Sequence, residues 1–344
     1  MSKVKQAVIL AGGEGTRLRP LTTTRPKPLL PVLGVPCIEY VIRSLADAGI
    51  EQVFLACGYR SEDIRAALGG GDRFGVEIEM AFEKEPMGTA GAVKLLEDRL
   101  NGTFVVGSGD TLTDADLGDL IDFHIRKGAE ATMGLTEVER PEQFGIVGVS
   151  AEGRIDRFKE KPRSEEVFSR VINAGTYVLE PEVLRMIPAA TKYDFSKNLY
   201  MDMLDKKRGL YATPLKGYWK DIGRPSDLYL ANMDMASRRP TTSAPAGARA
   251  VGSCYFGRDV TASSATVMDS AIGHGCVLEG TIETSLLLDR VSVGKGASLN
   301  GCVIGEGCRI GAAAALRDCV LGDGAVISAG TVLAATNIEA RASI

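Results

Sequence analysis

A short repeat in the last third of the chain constrains the fold more than any other feature of the sequence. An aliphatic residue followed by glycine recurs there, and several of the gaps are six residues or close to multiples of six. These pairs are Ile272-Gly273, Val293-Gly294, Ile304-Gly305, Ile310-Gly311 and Leu321-Gly322. The pattern is typical of a hexapeptide-repeat parallel β-helix, in which each six-residue face turns one apolar side chain inward and glycine relieves the corners.

The repeat is degenerate at 281–288, and a glycine-rich linker is the alternative interpretation. Regular aliphatic positions such as Val277, Ile282 and Ile310 disfavour a linker, because a flexible connection has no use for buried side chains. We therefore predict a β-helix over residues 251–344. It would supply architecture and an oligomerising surface, but no chemistry by itself.

Before about residue 235 the chain alternates apolar runs with helical patterns. The predicted strands are Gln6–Leu10, Gln52–Cys57, 76–82 and 103–106, and the predicted helices are 36–48, Ser61–Leu68, 89–100 and 116–127. This succession predicts an α/β fold with a mostly parallel sheet, whose ligands bind beyond the carboxyl ends of the strands. After residue 129 the mixed pattern fits an antiparallel insertion, with strands near 129–136, 146–149, 155–158 and 174–179 and helices near 181–187 and Pro225–Ser237.

The 344-residue length is about twice that of an ordinary domain, so two domains are expected. Residues 238–250, RRPTTSAPAGARA, are rich in Pro, Ala, Thr and Ser without any periodicity, which is typical of a linker. We therefore predict an N-terminal domain over 1–237, a linker over 238–250 and the β-helix domain over 251–344.

Charge and composition narrow the possible partners and the compartment. The net charge of −4 argues against binding to nucleic acid or to an acidic membrane surface. No apolar run approaches the roughly 18–20 residues that span a bilayer. Seven cysteines without a CxxC pair favour reduced thiols in the cytoplasm over a disulfide framework or a structural zinc site.

The most informative stretch for chemistry is AGGEGTRLRP, residues 11–20, directly after the first predicted strand. Its glycines at 12, 13 and 15 let backbone N–H groups approach phosphate oxygens without interference from a Cβ atom. It is not a Walker loop, because no Gly-Lys-Ser/Thr follows. It also fails the dinucleotide pattern GxGxxG, because Leu18 occupies the place of the third glycine.

Two basic side chains accompany this loop. Arg17 lies within it, and Lys27 follows ten residues later between Pro26 and Pro28. Arg17 offers a planar fork to phosphate, whereas Lys27 offers a compact point charge on a backbone fixed by two prolines. The alternative is a glycine turn followed by a solvated basic segment.

The motif GGxGTRLRPLT, followed by Lys27-Pro28, is similar to the nucleotide-binding opening of the sugar-1-phosphate nucleotidylyltransferases, or NDP-sugar pyrophosphorylases. The resemblance covers residues 5 to about 235, and the guanylyltransferases are the members most similar to this chain. Four further motifs carry it, EPMGTAG at 85–91, EKP at 160–162, NAGTY at 173–177 and WKDIG at 219–223. The C-terminal repeat resembles that of family members with a left-handed β-helix.

The resemblance implies a Rossmann-like nucleotidyltransferase domain with a mixed, mostly parallel sheet, followed by a left-handed parallel β-helix. It implies an enzyme that transfers a nucleotidyl group from an NTP, with GTP favoured, to a hexose 1-phosphate, with mannose 1-phosphate favoured. The products would be GDP-mannose and pyrophosphate. A homo-oligomer formed through the β-helix, the catalytic domain or both is also expected.

The resemblance further implies roles for individual residues. Asp110 and Asp221 would hold Mg²⁺ against the α-phosphate. Arg17 and Lys27 would stabilise the departing pyrophosphate, and Lys161 would orient the attacking sugar phosphate. The expected nucleotide contacts are Ala11, Gly12, Gly13, Gly15, Thr16, Glu83, Gly88 and Thr89, and the expected sugar contacts are Gly145, Glu160, Asn173 and Thr176.

Glu83 bears on the choice of base. In relatives that use uridine or thymidine nucleotides, this position is typically a glutamine, whose amide both accepts from N3–H and donates to O4 of a pyrimidine. A carboxylate only accepts, so it opposes pyrimidine O4 and suits the N1–H and N2–H₂ donors of guanine. Such a mismatch costs about 1–3 kcal/mol, a bias of about tenfold or more. The alternative is that Glu83 points to solvent among its charged neighbours.

Residue chemistry alone leaves other interpretations open. Asp110 is equally compatible with a turn residue or a helix cap, and Glu160 with Lys161 forms an ordinary surface ion pair in many proteins. Asp114 and Asp116 are expected to be carboxylates at a helix N-terminus.

Three other functions remain compatible with the sequence. The first is a glucose-1-phosphate thymidylyl- or uridylyltransferase. The second is a non-catalytic regulatory subunit, which the presence of Arg17, Lys27, Asp110 and Asp221 disfavours. The third is an acyltransferase activity of the β-helix, for which His274 is the only histidine of the repeat region.

Overall fold

The computed structural model describes residues 4–83, 85–239 and 243–344, so part of the predicted linker lies outside the described residues. The chain divides into two compact units. The first unit runs to Gly13 and resumes over Ile38–Trp219, and the second comprises Glu14–Cys37 and Lys220–Ile344. The segment Glu14–Cys37 therefore belongs to the same unit as the C-terminal β-helix, although the two are far apart in sequence. Domain boundaries drawn along the sequence cannot describe such a unit.

A nine-stranded mixed sheet organises the first unit. Its strands are Gln6–Leu10 (β1), Gln52–Cys57 (β2), Glu77–Phe82 (β3), Phe104–Ser108 (β4), Ala131–Glu137 (β5), Gly145–Val149 (β6), Ile155–Glu160 (β7), Val171–Leu179 (β8) and Leu210–Pro214 (β9). They lie in the order β7-β6-β8-β4-β1-β2-β3, with β5 beside β8 and β9 beside β5. Strands β4, β1, β2 and β3 are parallel, whereas β8 is antiparallel to β4, β5 and β6. The predicted mostly parallel sheet with an antiparallel insertion is thus confirmed.

The described residues form six α-helices. They are Cys37–Asp47 (α1), Ser61–Leu68 (α2), Gly88–Lys94 (α3), Leu117–Lys127 (α4), Tyr200–Asp205 (α5) and Pro225–Ser237 (α6). The helix predicted at 89–100 is shorter, because the chain tightens into a 3₁₀ turn at Glu97–Arg99 while Leu96 and Leu100 stay buried. The helix predicted near 181–187 is a 3₁₀ helix, Pro181–Met186. In the described ranges, no helix is long and apolar enough to cross a membrane.

The two aspartates expected at a helix N-terminus have different roles. Asp116 is the N-cap of α4, and its carboxylate accepts the Gly118 N–H at 2.8 Å. Asp114 instead accepts the Tyr218 N–H at 2.5 Å, so the prediction for Asp114 is wrong. Its carboxylate joins the entry of α4 to Tyr218, the residue before Trp219.

Burial on both faces explains why the central strand is easy to recognise. The side chains of Val8 and Ile9 in β1 are fully buried, and β1 pairs on both sides with parallel neighbours. A parallel strand covered on both faces is a continuous apolar run. The largest buried side chains around this sheet include Phe54, Phe104 and Tyr200.

The C-terminal part of the second unit forms three parallel sheets, as expected for a left-handed β-helix. The first sheet contains Ala248–Val251, Ala265–Met268, Thr281–Glu283, Ser298–Asn300, Ala315–Arg317 and Val332–Ala334. The second contains Tyr255–Phe256, Ala271–Ile272, Leu286–Leu287, Val303–Ile304, Val320–Leu321 and Asn337–Ile338. The third contains Thr261–Ala262, Val277–Leu278, Ser292–Val293, Arg309–Ile310 and Val326–Ile327. The first strand begins at Ala248, inside the predicted linker, because its backbone pairs with 265–268.

The coils of the β-helix differ in length although their interior positions stay in register. Val267 pairs with Ile282, fifteen residues on, whereas Ile282 pairs with Leu299, seventeen residues on. All three side chains are fully buried. Neither spacing is a multiple of six, so a strict six-residue period fails here, although 281–288 supplies one strand to the first sheet and one to the second.

Not every aliphatic position of the repeat points inward. Ile282 and Ile310 are buried in the interior, as predicted. Val277 is 47% exposed, and the neighbouring Leu278 fills the interior instead. In a run of two adjacent aliphatic residues, sequence spacing does not identify which one faces the core, since successive side chains of a strand alternate.

A buried histidine makes the stability of the first unit depend on pH. The imidazole of His124 is 1% exposed, with Nδ1 2.8 Å from Thr132 Oγ1 and Nε2 3.1 Å from Glu180 Oε1. Burial lowers the pKa of His124 and outweighs the opposite effect of the Glu180 carboxylate. Near pH 6 the unfolded chain therefore binds more protons at this position than the folded chain, so stability falls as pH falls below about 6.5.

We expect His124→Gln to reduce this loss of stability between about pH 7.5 and pH 5.5. Urea unfolding would be followed through the fluorescence of Trp219, the only tryptophan, which lies in the same unit. Only the difference between the two pH profiles is informative, because other groups titrate equally in both proteins. Parallel profiles for wild type and variant would contradict the prediction.

Candidate functional site

The glycine loop turns at Gly15 in a way that excludes a side chain. Gly15 has a left-handed φ of 63° and precedes a 3₁₀ turn, Thr16–Leu18. A Cβ atom at this position would lie 3.0 Å from Cβ of Lys27 and 3.1 Å from Cγ2 of Thr22. The Thr22 hydroxyl also donates to the Gly15 carbonyl at 2.9 Å. Backbone conformation and packing both require glycine here.

Four charged side chains of the second unit meet around Gly223. The side chain of Lys27 is only 8% exposed, and its Nζ lies 3.6 Å from Asp221 Oδ1. A Cβ atom at Gly223 would lie 3.0 Å from Asp221 Oδ2 and 3.5 Å from both Arg17 Nη2 and Asp227 Oδ2. The two cationic groups are partners for a polyanion, and the carboxylate oxygens are ligands for a hard divalent cation.

In the first unit, the carboxylate of Glu83 lies against the start of the glycine loop. A Cβ atom at Gly12 would lie 3.1 Å from Glu83 Oε1, and Glu83 Oε2 accepts the Met87 N–H at 3.0 Å. The Glu83 side chain is half-buried, so it does not simply extend into solvent. Ala11 is buried, whereas the backbones of Gly12 and Gly13 are exposed. The loop thus offers accessible N–H groups beside a fixed acceptor.

Asp110 lies at the carboxyl end of β4, beside the end of β1. It occupies a two-residue turn between Ser108, the last residue of β4, and a short strand, Thr111–Thr113. The Ser108 hydroxyl donates to Asp110 Oδ1 at 2.5 Å. The Gly109 N–H donates to the carbonyl of the last β1 residue at 2.9 Å. Asp110 is therefore a turn residue, not a helix cap, at the edge of the sheet where α/β folds bind ligands.

Gly88 and Thr89 join the start of α3 to the segment before α5. Gly88 has a φ of 74°, and a Cβ atom there would lie 2.7 Å from the Tyr193 carbonyl oxygen. The Thr89 hydroxyl lies 3.4 Å from Asp194 Oδ1 and accepts the Phe195 N–H at 3.0 Å. Thr89 is thus engaged in a defined network within the first unit.

A second polar group in the first unit surrounds Glu160. A Cβ atom at Gly145 would lie 2.8 Å from Glu160 Oε2, so glycine is needed at this close approach. Asn173 Nδ2 donates to the Tyr177 hydroxyl at 2.9 Å and lies 3.4 Å from Ser196 Oγ. Burial raises the pKa of the Glu160 carboxyl, despite the opposing effects of Lys161 and of the hydrogen bond from Ser196.

The residues next to this group are held by local geometry. Lys161 is exposed and has a φ of 46°, a conformation that costs a non-glycine residue energy and recurs at functional sites. Its N–H donates to the Phe144 carbonyl at 2.9 Å. Phe144 packs edge-to-face on Trp219, whose Nε1 donates to the carbonyl of Ala174 at 2.8 Å. Thr176 is buried nearby in β8.

The structure brings the expected site residues together in three groups. One contains Gly15, Arg17, Lys27 and Asp221, a second contains Gly12 and Glu83, and a third contains Gly145, Glu160 and Asn173. Among the described residues, no cluster of three or more His, Cys, Asp or Glu side chains could hold a metal ion. Asp110 belongs to the first unit and Asp221 to the second.

Sequence reasoning missed Ser196 and Tyr177 as members of the third group. Tyr177 lies within the NAGTY motif, so its position was a usable signal. Ser196 lies in a π-helical turn, Phe195–Leu199, and such turns are common at functional sites. No local sequence pattern marks a π-turn, so Ser196 had no signal of its own.

Comparison with known proteins identifies the family of each part of the chain. The nucleotidyl transferase family matches residues 6–238, and a GlmU-like C-terminal hexapeptide family matches residues 253–342. The chain is 36% identical to a mannose-1-phosphate guanylyltransferase of Mycobacterium tuberculosis, over 88% of this chain and 80% of that protein. It is 35% identical to a UTP–glucose-1-phosphate uridylyltransferase of Synechocystis, over 75% of this chain and 70% of that protein.

A solved structure shows the same fold. HddC from Yersinia pseudotuberculosis, complexed with GMP-PN, is 27% identical to this chain with a TM-score of 0.57. The alignment covers 67% of this chain and all of HddC. The chain therefore belongs to the nucleotidyl transferase family, as a nucleotidyltransferase that carries a hexapeptide-repeat β-helix.

Proposed function

We propose that this nucleotidyltransferase transfers a guanylyl group from GTP to mannose 1-phosphate, forming GDP-mannose and releasing pyrophosphate. The observation that carries the transfer is the group of Arg17, Lys27 and Asp221 around Gly223, beside the turn at Gly15. A triphosphate needs cationic partners of this kind, and backbone N–H groups without Cβ obstruction supply the rest. The matched guanylyl- and uridylyltransferases have nearly equal identity to this chain, so overall similarity does not choose the base.

The reaction joins two polyanions, so suppression of their repulsion is the main catalytic task. An oxygen of the sugar phosphate attacks the α-phosphorus of GTP in line with the bond to the β-phosphate. That bond breaks, and its electron pair leaves on the pyrophosphate oxygen. Arg17 and Lys27 neutralise the charge that develops there, and no protein nucleophile is required.

The chemistry of the two proposed ligands suits a magnesium ion. Asp110 and Asp221 offer only oxygen atoms, and two carboxylates suit an ion that keeps several waters and binds substrate phosphates. Bound Mg²⁺ would neutralise charge on the α-phosphate. The Lys27 ammonium, 3.6 Å from Asp221, orients that carboxylate and partly neutralises its charge.

The group around Glu160 is proposed to bind the sugar. Lys161 grips the phosphate of mannose 1-phosphate, and Glu160 accepts hydrogen bonds from sugar hydroxyls. Asn173 and Thr176 complete the contacts, while Gly145, the remaining expected sugar contact, leaves room for the Glu160 carboxylate. The close approach of Gly145 to Glu160 and the fixed Asn173 side chain support this arrangement.

We also infer that the protein acts in the cytoplasm as a homo-oligomer. All seven cysteines lie within the described residues and none of them forms a disulfide there, which suits a reducing compartment. Exposed apolar side chains on the β-helix, Val251, Val277 and Val332, support self-association of this domain.

The proposed base preference predicts the outcome of a matrix of NTPs and sugar 1-phosphates with Mg²⁺, measured as pyrophosphate release. The wild type should prefer GTP, because the fixed Glu83 carboxylate accepts two donors from guanine. Glu83→Gln should shift the kcat/KM ratio of GTP to UTP by about tenfold or more toward UTP. Glu85→Gln is the matched control, since Glu85 is an exposed carboxylate two residues away.

Two outcomes of this matrix would count against the proposal. An unchanged nucleotide ratio in Glu83→Gln would remove Glu83 from base selection. Absence of pyrophosphate release with every substrate pair would instead favour a non-catalytic role for the chain.

The proposed metal role predicts that Asp110→Asn lowers kcat by about a hundredfold or more, because the amide cannot replace a carboxylate as a magnesium ligand. GTP affinity, measured by equilibrium binding, should change much less. Asp116→Asn is the matched control, because asparagine is an equally good N-cap for α4. Activity of Asp110→Asn near that of wild type would contradict the metal role.

The raised pKa of Glu160 predicts how the KM for mannose 1-phosphate depends on pH. Protonation of Glu160 removes an acceptor for the sugar hydroxyls, so this KM should rise as pH falls, beginning above the usual glutamate pKa of about 4.5. Glu160→Gln should have a higher KM at neutral pH and a flatter profile. Titration of the substrate phosphate affects both proteins equally and cancels in their ratio. Parallel profiles for the two proteins would contradict the role of Glu160.

A further inference from the structure

Within the second unit, the segment that carries Lys27 is bound directly to two coils of the β-helix. Arg25 lies two residues before Lys27, and its side chain is 19% exposed. Its Nη2 lies 2.6 Å from Glu306 Oε2 and 2.7 Å from Asp323 Oδ2. Its Nε also donates to Asp323 Oδ2, at 3.2 Å. A single guanidinium therefore bridges two carboxylates of the β-helix.

Contacts within the β-helix hold these two carboxylates independently of Arg25. Asp323 Oδ1 accepts the Glu306 N–H at 2.8 Å, and Glu306 Oε1 accepts a hydrogen bond from the Arg290 guanidinium. Asp323 Oδ2 is left to accept from Arg25 and from the Thr24 hydroxyl, at 2.5 Å. Asp323 thus joins two successive coils through one carboxylate oxygen and binds Thr24 and Arg25 through the other.

A second contact binds the far side of the same segment. Leu33 and Gly34 form the turn of a short hairpin, with φ of 50° and 76°. A Cβ atom at Gly34 would lie 2.4 Å from Nε2 of His274. His274 Nδ1 accepts the Arg258 N–H at 2.7 Å, which fixes the ring against the hairpin. His274 therefore packs against the hairpin. The acyltransferase alternative would instead need this histidine as a catalytic group.

Lys27 lies between these two contacts and has little freedom of its own. Its stem packs against Gly15, and its ammonium lies near Asp221. A shift of the backbone at Thr24 or Arg25 would move this buried stem with it. For reacting groups, a displacement of about 1 Å costs about a hundredfold in rate.

We propose that Glu306 and Asp323 are positioning residues for nucleotidyl transfer, which act through Arg25 to hold Lys27 against the triphosphate. The proposal rests on the role given to Lys27 under the proposed function. It assigns the β-helix a part in the reaction beyond architecture, and it locates that part in two side chains. The step that depends on them is the use of the NTP, and the binding of the sugar 1-phosphate is independent of them.

The test is the steady-state kinetics of Asp323→Asn in the full chain. Asparagine keeps an oxygen for the Glu306 N–H but turns an amide donor toward Arg25. We expect kcat/KM for GTP to fall about 10- to 100-fold, while the KM for mannose 1-phosphate changes by less than about twofold. Glu306→Gln removes the other carboxylate that binds Arg25 and should also lower kcat/KM for GTP. If one of the two variants fails to fold, the other still tests the proposal.

Asp269→Asn is the matched control for the β-helix itself. Asp269 Oδ1 accepts the Ser253 N–H at 2.8 Å, a corner contact like the one that Asp323 makes to Glu306. In the described part of the chain the Asp269 carboxylate bonds to neither Thr24 nor Arg25, and it does not hold His274. Asp269→Asn should therefore keep wild-type kcat/KM for GTP, and the thermal unfolding midpoints of Asp269→Asn and Asp323→Asn should be similar.

A double-mutant cycle separates positioning from general structural damage. If Asp323 acts through Arg25, Asp323→Asn should cost almost nothing further in an Arg25→Ala background. Wild-type kcat/KM for GTP in Asp323→Asn and Glu306→Gln, additive losses with Arg25→Ala, or an equal loss in Asp269→Asn would each overturn the proposal. A wild-type chain that releases no pyrophosphate would overturn the proposed function, and this proposal with it.

Discussion

Burial of the Lys27 ammonium is the constraint on which the nucleotide end of the molecule depends. A lysine side chain that is 8% exposed needs a charge partner and a path for its stem, and Asp221 and Gly15 provide them. Asp221 comes from a distant part of the chain, so the loop segment and WKDIG must fold together. In the proposed reaction this ammonium would meet the triphosphate already desolvated and oriented, which would make it a stronger electrostatic partner than a solvated lysine.

Much of this architecture could be predicted, because its elements are governed by local patterns. Strands β1 and β2 and helices α2 and α6 have the bounds that sequence predicts. The strands are clear apolar runs, α6 begins with proline, and α2 begins at a serine and ends before Gly69. The glycine loop was recognisable for the same reason, as its conformation requires glycine at fixed positions. Residue roles such as those of Asp110, Lys161 and Glu83 stay predictions until substrates are tested.

Other features could not be predicted, because contacts between distant residues decide them. Arg25 and Asp323 are 298 positions apart, and nothing near either residue indicates the other. The association of Glu14–Cys37 with the β-helix unit follows from such contacts. Which side chain of the pair Val277 and Leu278 faces the interior likewise depends on the neighbouring coils. The spacing of residues along one strand does not reveal it.

The unequal coils of the β-helix have a consequence for how such a domain can change in size. Ile282 and Leu299 occupy equivalent interior places although one coil is two residues longer than the other. The extra residues are accommodated at a corner, where the chain turns in solvent. A small insertion or deletion at a corner would therefore leave the stacking of every later coil intact, whereas a single polar replacement in the interior column would interrupt it.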